Sequence, residues 1–160
     1  MISDRKAFLG PDPLGGVPPD CRVGTLESRN TKIQGAPPEP GRSEGNRKTI
    51  LIVDDDETIL HLLRRFFARE GFRVSIAKDG VEAIERLKEE SPAVLLTDLK
   101  MPSLAGTELI QFVRKNGIRT AVVVMTAYPE EWSGNDIGAC FTKPFDLDEI
   151  FSAIRGILGV

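Results

Sequence analysis

Short apolar runs alternate with amphipathic segments along residues 49–160. Three of the runs are apolar at nearly every position, which is typical of strands that helices cover on both faces of a parallel sheet. Two further runs are less continuously apolar and predict strands of four or five residues. The five predicted strands cover residues 50–53, 73–77, 93–98, 121–126 and 140–143.

The segments between these strands carry apolar residues at the spacing of an amphipathic helix. The first predicted helix ends at Gly71, and the second and third are predicted over residues 81–89 and 108–115. The predicted inward residues of the first two helices are Ile59, Leu62, Leu63, Phe66 and Phe67, and then Val81, Ile84 and Leu87.

The last helix is predicted over residues 147–158. Asp146 precedes it as an N-cap, with Glu149 three residues later as its capping-box partner. The segment 128–138, in contrast, contains Pro129 and Gly134 and is a poor helix candidate.

The alternation of strands and helices predicts parallel strands joined by right-handed crossovers. We therefore predict an α/β fold of the flavodoxin-like, doubly wound type. Its five-stranded parallel sheet has the order 2-1-3-4-5 when strands are counted from residue 49. Ligands of such sheets bind where strands 1 and 3 end. Because these ends carry Asp54, Asp55 and Asp98, the three carboxylates are expected to share one crevice.

Residues 1–48 differ in composition from the rest of the chain. They contain 7 of the 11 prolines and 7 of the 15 glycines, and few large apolar residues that could offset the entropy of ordering. We predict a disordered, Pro/Gly-rich N-terminal extension over residues 1–48 and one folded domain over residues 49–160.

Charge and cysteine content narrow the classes of function. The formal net charge of −3 argues against binding of nucleic acid through bulk charge. The sequence has neither an apolar run of membrane-helix length nor an apolar signal segment at its start. The two cysteines, Cys21 and Cys140, do not have metal-ligand or CxxC spacing. A reduced, cytoplasmic protein is the simplest expectation.

Three carboxylates in one crevice repel each other and require a cation nearby. Oxygen ligands in a half-open cleft suit Mg²⁺, which commonly supports phosphoryl chemistry, and an Asp can be the nucleophile of such a reaction. The fourth and fifth strands end in Thr126 and Lys143. Their hydroxyl and ammonium groups could bind the oxygens of a phosphoryl group.

These residues together resemble the receiver domain of two-component response regulators, over residues 49–160. The matching features, in chain order, are the acidic pair Asp54-Asp55, Asp98 with Met101-Pro102, Gly106, Thr126-Ala127, and Lys143-Pro144-Phe145. The resemblance implies a phosphoacceptor switch of the stand-alone type. Its phosphorylation and dephosphorylation are self-catalysed, so it is not a turnover enzyme.

The resemblance also implies a role for each residue of the site. Asp98 accepts a phosphoryl group from a phosphohistidine on a partner histidine kinase or histidine phosphotransfer protein. The implied Mg²⁺ ligands are Asp54, Asp55, Asp98 and the backbone carbonyl of Lys100. The implied phosphoryl-binding and switch residues are Thr126, Ala127 and Lys143.

The chain departs from the family pattern in two places. The family usually has a switch aromatic three residues before the strand-5 lysine, where this chain has Cys140. Phe141 is adjacent, but a step of one residue points to the opposite face of the strand. The segment between Thr126 and Lys143 is also short for the family, so we predict an abbreviated or irregular fourth helix.

We expect no output domain after the last helix, so signalling is expected to occur through a phosphorylation-sensitive protein-binding surface. Its downstream protein target is unknown, and direct contact with nucleic acid or membrane is not expected. Two alternatives remain open. One is a phosphorylation-independent, pseudo-receiver-like interaction module, and the other is a phosphohydrolase with an Asp nucleophile. In the latter class a second carboxylate usually stands where this chain has Lys100.

Overall fold

The computed structural model describes residues 21–23, 48–134 and 137–160. In this part of the chain, strands alternate with helices as the apolar pattern predicts. The elements are β1 (Cys21–Val23), β2 (Thr49–Val53), α1 (Glu57–Arg69), β3 (Arg73–Ala77), α2 (Gly80–Glu89), β4 (Val94–Asp98), α3 (Gly106–Lys115), β5 (Ala121–Thr126), β6 (Ala139–Thr142) and α4 (Leu147–Leu158).

The strands form one sheet in the order β1-β6-β5-β4-β2-β3, and all neighbouring strands are parallel. The five strands from β2 onwards have the predicted order 2-1-3-4-5, which confirms the flavodoxin-like fold. β1 is an additional edge strand that the apolar pattern does not predict. It lies within the extension predicted over residues 1–48, and apart from Lys48 the rest of that prediction falls outside the described residues.

Successive residues of the central strands enter two separate core layers. On β2, Leu51 and Val53 belong to the layer covered by α2 and α3. Ile50 and Ile52 belong to the opposite layer, covered by α1 and α4. Because helices cover both faces of the sheet, the central strands are apolar at nearly every position.

The predicted inward face of α1 is wrong at Leu62, which is 50% exposed. The fully buried residues of this helix are Leu60, Leu63 and Phe67. Each residue of a helix is rotated by about 100° from the previous one. Leu60 therefore extends the apolar face of the helix on the side opposite Leu62. The centre of the buried face is shifted in that direction, and Leu62 lies at the solvent.

The predicted inward face of α2 is wrong at Val81 for a similar reason. Val81 is 50% exposed, whereas Gly80, Ala83 and Leu87 are buried. The small residues Gly80 and Ala83 let the helix approach its neighbours closely, and this orientation leaves Val81 at the solvent.

The predicted start of the last helix is confirmed. The Asp146 side chain accepts hydrogen bonds from the amides of Asp148 (2.8 Å) and Glu149 (3.4 Å), as an N-cap does. The prediction of an irregular fourth helix is also confirmed. Between β5 and β6, the described residues contain one helical turn, a 3₁₀ turn at Pro129–Glu131. Among the described helices, none has the length and apolar character needed to cross a bilayer.

Candidate functional site

Four adjacent strands bring the predicted site residues to one edge of the sheet. Asp54 follows β2, and Asp98 and Thr126 are the last residues of β4 and β5. Lys143 follows β6. These strands stand next to each other in the order β2, β4, β5, β6. The crevice that the sequence predicts at this edge is therefore present.

The three predicted carboxylates lie together in this crevice. One carboxylate oxygen from each of Asp54, Asp55 and Asp98 lies within 4.8 Å of the others. Asp54 is fully buried and Asp98 is 6% exposed, whereas Asp55 is exposed. The cluster thus has a buried floor of two carboxylates and a third carboxylate at the solvent side.

Lys143 connects the two buried carboxylates. Its Nζ lies 2.8 Å from Asp54 Oδ2 and 2.9 Å from Asp98 Oδ2. Burial lowers the pKa of the Lys143 ammonium, but its hydrogen bonds to both carboxylates outweigh burial, and the pKa lies above the usual range. Lys143 therefore remains a cation at the floor of the crevice, as the binding of a phosphoryl group requires.

Burial raises the pKa of the Asp54 carboxyl above its usual value. Hydrogen bonds from Lys143 and from the Asp56 amide, the latter at 2.9 Å to Oδ1, lower the pKa but do not cancel the effect of burial. The fold therefore places this carboxylate where its negative charge is disfavoured. A second cation in the crevice would relieve that unfavourable charge.

The backbone after β4 fixes the carboxylate of Asp98. Its Oδ1 accepts hydrogen bonds from the amides of Leu99 (2.7 Å) and Lys100 (3.3 Å). Its Oδ2 contacts Lys143, and its backbone carbonyl accepts a bond from the Thr97 hydroxyl at 2.8 Å. Both carboxylate oxygens are thus held before any ligand binds, which favours reaction in a fixed orientation.

Gly106 allows α3 to begin directly against the loop that carries Asp98. The Gly106 amide donates to the Leu99 carbonyl at 2.8 Å. A Cβ at this position would collide with the backbone carbonyl of Asp98 and would lie 2.8 Å from the Leu99 Cα. The loop glycine noted in the sequence is therefore required by close backbone approach.

Thr126 and Ala127 lie beside this carboxylate cluster at the end of β5. Thr126 is fully buried, and its hydroxyl oxygen accepts a hydrogen bond from the Tyr128 amide at 3.0 Å. Its backbone carbonyl accepts a bond from the Lys143 amide at 2.8 Å. Ala127 is exposed. The exposed Ala127 therefore directly follows a buried hydroxyl-bearing residue at this edge of the sheet.

Glu131 is a residue at the rim of the site that the sequence did not predict. The Lys100 ammonium lies 3.3 Å from Glu131 Oε1 and 4.1 Å from the centroid of the Tyr128 ring. These contacts join the loop after β4 to the loop after β5. A glutamate in an irregular loop has no sequence signal of its own, because its partner stands 31 residues earlier.

The atypical position Cys140 is buried at 1% exposure in the core layer covered by α2 and α3. Phe141 is buried in the opposite layer, as the one-residue step predicts. Trp132 is partly buried against the layer that contains Cys140, and its Nε1 is buried without a hydrogen-bond partner among the residues that the structure describes. An indole from the loop after β5 thus packs on the same core layer as Cys140.

The carboxylate cluster fits a small divalent cation. Mg²⁺ binds oxygen ligands at about 2.1 Å, so ligands on one ion are separated by up to about 4.2 Å. The three carboxylate oxygens all lie within 4.8 Å of one another, which is close to this separation. All the clustered ligand atoms are carboxylate oxygens. Mg²⁺ prefers such ligands, whereas copper and iron–sulfur sites prefer softer ligands.

Comparison with known proteins supports the same interpretation. The family model of the response regulator receiver domain matches residues 50–155. The response regulator MprA of Mycobacterium ulcerans is 38% identical over 114 residues, which cover 68% of this chain and 49% of that protein. The chain spans about half the length of the curated relatives that it matches.

Solved structures agree with the family match. The response regulator TrrA of Thermotoga maritima, in complex with Mg²⁺-BeF, has a TM-score of 0.63 and 26% identity, covering 69% of this chain and 98% of that chain. The receiver domain of a Francisella response regulator has a TM-score of 0.62 and 26% identity, with coverage of 69% and 96%. The chain therefore belongs to the response regulator receiver domain family of two-component systems.

Proposed function

We propose that Asp98 accepts a phosphoryl group in a Mg²⁺-dependent reaction. The observation that carries this proposal is the arrangement around Asp98. Its carboxylate is held by two backbone amides and by Lys143, beside the carboxylates of Asp54 and Asp55. A nucleophile, a fixed cation and a group of metal ligands therefore occupy one crevice, as phosphoryl transfer to a carboxylate requires.

The proposed donor is a phosphohistidine on a histidine kinase or histidine phosphotransfer protein. A carboxylate oxygen of Asp98 attacks the phosphorus, and the bond from phosphorus to the imidazole nitrogen breaks. The leaving nitrogen takes a proton from solvent, and Asp98 becomes an aspartyl phosphate. Lys143 and the Thr126 hydroxyl bind phosphoryl oxygens, and exposed Ala127 leaves the phosphorus accessible.

The proposed metal ligands are the carboxylates of Asp54, Asp55 and Asp98 and the backbone carbonyl of Lys100. When bound, Mg²⁺ would neutralise negative charge on the carboxylates and on the incoming phosphoryl group. The similarity to TrrA, whose structure contains Mg²⁺-BeF, supports this assignment. The raised pKa of Asp54 supports it as well, because burial disfavours the negative charge of that carboxylate even beside Lys143.

Phosphorylation adds negative charge beside Lys143 and Thr126. Thr126 is followed by the loop that leads into β6, and Lys143 lies in the loop that leaves β6. We infer that the protein acts as a switch without substrate turnover and that it presents a changed surface to a downstream protein target. A phosphorylation-independent interaction module is the second candidate. The observation that favours it is the burial of Cys140 at the position where the family usually has a mobile aromatic.

Beryllofluoride with Mg²⁺ mimics an aspartyl phosphate and distinguishes these two candidates. We expect saturating beryllofluoride and Mg²⁺ to raise the melting temperature by about 5 to 10 °C, since a ligand at 100 times its Kd stabilises by about 2.7 kcal/mol. We also expect a change in Trp132 fluorescence, because Trp132 is in the loop that follows Thr126. Differential scanning fluorimetry and emission spectra measure the two effects.

Two variants serve as controls for this experiment. Asp98→Asn should lose both responses, whereas Asp148→Asn, which removes an exposed carboxylate in the first turn of α4, should keep them. Equal responses in the wild type and in Asp98→Asn would contradict the assignment of Asp98. A wild-type protein that does not respond would favour the phosphorylation-independent module.

A further inference from the structure

The turn between β3 and α2, residues 77–80, is tied to the segment that carries the first acidic pair. The Ala77 carbonyl accepts a hydrogen bond from the Asp54 amide at 3.2 Å. The Lys78 Nζ lies 2.7 Å from Oε1 of Glu57, the first residue of α1. The turn therefore supports the segment around Asp54, although none of its own residues is a proposed metal ligand.

The same turn ends at Gly80, where the loop after β4 approaches it closely. A Cβ on Gly80 would lie 2.7 Å from the Leu104 carbonyl oxygen and 2.8 Å from both Cβ and Cδ2 of Leu104. The φ of Gly80 is outside the left-handed region, so its backbone conformation is also open to alanine. Glycine is therefore required here by the approach of Leu104 and not by the backbone conformation.

Leu104 belongs to the loop that fixes the carboxylate of Asp98. The first two amides of this loop, from Leu99 and Lys100, donate to Asp98 Oδ1. The chain then turns at Ser103, whose φ of 69° lies in the left-handed region, and Leu104 packs on the core layer covered by α2 and α3. Because the loop is short and one end is packed on the core, a displacement of Leu104 also displaces Lys100.

We propose that Gly80 is a positioning residue for the metal site. The contact of Leu104 with Gly80 sets the position of the Lys100 carbonyl, while Ala77 in the same turn holds the segment around Asp54. This inference rests on the proposed function, in which the Lys100 carbonyl is a Mg²⁺ ligand. A turn outside the crevice thus determines the spacing between the two segments that supply the proposed ligands.

Capping hydrogen bonds hold the start of α2 in place. The Asp79 side chain accepts a hydrogen bond from the Glu82 amide at 2.9 Å, and the Glu82 carboxylate accepts one from the Lys78 amide at 2.9 Å. Carbon atoms in van der Waals contact are separated by about 3.5 to 4.0 Å, so a Cβ on Gly80 forces one of its neighbours to move. Because the helix start is held, the displaced group is Leu104 with its loop.

Replacing Gly80 by alanine tests this role. Mg²⁺ requires ligands close to octahedral positions at about 2.1 Å, so a shifted carbonyl weakens binding. We expect Gly80→Ala to raise the Kd for Mg²⁺ by about tenfold, the lower end of the range for lost supports of metal ligands. Isothermal titration calorimetry of the full-length chain with magnesium chloride measures the Kd. The Mg²⁺ concentration that half-saturates phosphorylation by acetyl phosphate should rise by the same factor.

A second variant provides the test if Gly80→Ala does not fold. Leu104→Ala keeps Gly80 and removes the side chain that packs against it, so the loop loses its support without a steric conflict. We expect this variant also to raise the Kd for Mg²⁺, by a smaller factor than Gly80→Ala.

Leu87→Ala separates positioning from a general loss of stability. Leu87 is buried towards the other end of α2, in the same core layer. The cavity should lower the melting temperature at least as much as Gly80→Ala does, whereas the Kd for Mg²⁺ should stay within about twofold of the wild-type value.

The outcomes distinguish this inference from the proposed function. The inference is overturned if the wild type binds Mg²⁺ and both Gly80→Ala and Leu104→Ala bind it equally well, or if Leu87→Ala weakens binding as much as they do. A wild-type protein that neither binds Mg²⁺ nor becomes phosphorylated would contradict the proposed function and the inference with it.

Discussion

Replacing Lys143 by methionine is expected to lower the free energy of unfolding by about 2 to 3 kcal/mol at neutral pH in a metal chelator. The substitution keeps most of the side-chain volume and removes the charge. It leaves Asp54, which is fully buried, and Asp98, which is 6% exposed, as two neighbouring carboxylates without their shared cation. Urea unfolding measures the loss.

Adding Mg²⁺ and lowering the pH should each reduce the loss of stability in Lys143→Met. Mg²⁺ supplies a replacement cation, so millimolar Mg²⁺ should stabilise the variant more than the wild type. The pKa of Asp54 is already above its usual value, and removing the ammonium should raise it further. A carboxyl whose pKa is raised on folding holds more protons in the folded state, so stability falls as pH rises and recovers as pH is lowered.

Lys78→Met is the matched control for Lys143→Met. Lys78 also forms a close ion pair, 2.7 Å from Glu57 Oε1, but both side chains of this pair are 64% exposed. Exposed ion pairs contribute little to stability because water screens them. We expect the control to unfold at nearly the wild-type urea concentration. Equal losses in the two variants would contradict the role of Lys143 at the floor of the crevice.

Replacing Gly106 by alanine is expected to lower the free energy of unfolding by about 2 to 3 kcal/mol, in the range of overpacked cores. The added Cβ would collide with the Asp98 backbone carbonyl and lie 2.8 Å from the Leu99 Cα. Both are backbone atoms, so the conflict is resolved by moving the start of α3 or the segment that carries Asp98. The same variant should therefore bind Mg²⁺ and beryllofluoride more weakly.

Gly156→Ala tests the same substitution in open space. Gly156 lies within α4, and a Cβ there meets no described residue within 4 Å. Alanine favours a helix over glycine by about 0.5 to 1 kcal/mol, so we expect this variant to be slightly more stable than the wild type. If urea unfolding showed equal stability for Gly106→Ala and Gly156→Ala, close backbone approach would not be the reason for Gly106.

Much of the fold can be predicted because burial on both faces leaves a simple pattern. The continuous apolar runs of β2, β4 and β5 mark strands that two core layers enclose. Polar residues directly after such runs, Asp54 and Asp98 above all, must then meet at one edge of a parallel sheet. The order and direction of the strands follow from the alternation with helices.

The errors in the prediction have physical causes. Periodicity alone places Leu62 on the inner face of α1 because it does not weigh the neighbouring Leu60. β1 has three residues, too few for a strand signal, and is recognisable only through its pairing with β6. The contact of Lys100 with Glu131 depends on how two loops approach each other. Long-range relations of this kind leave no local pattern in a sequence.

The central claim is that Asp98 is the phosphoacceptor. Its most direct test is phosphate incorporation from acetyl phosphate with Mg²⁺, measured by intact mass on the wild type and on Asp98→Asn. We expect one added phosphoryl group, about 80 Da, in the wild type, no addition in Asp98→Asn, and loss of the addition when Mg²⁺ is chelated. A wild-type protein that stays unmodified under conditions that label an ordinary receiver domain, or an Asp98→Asn variant that is labelled equally, would contradict the account.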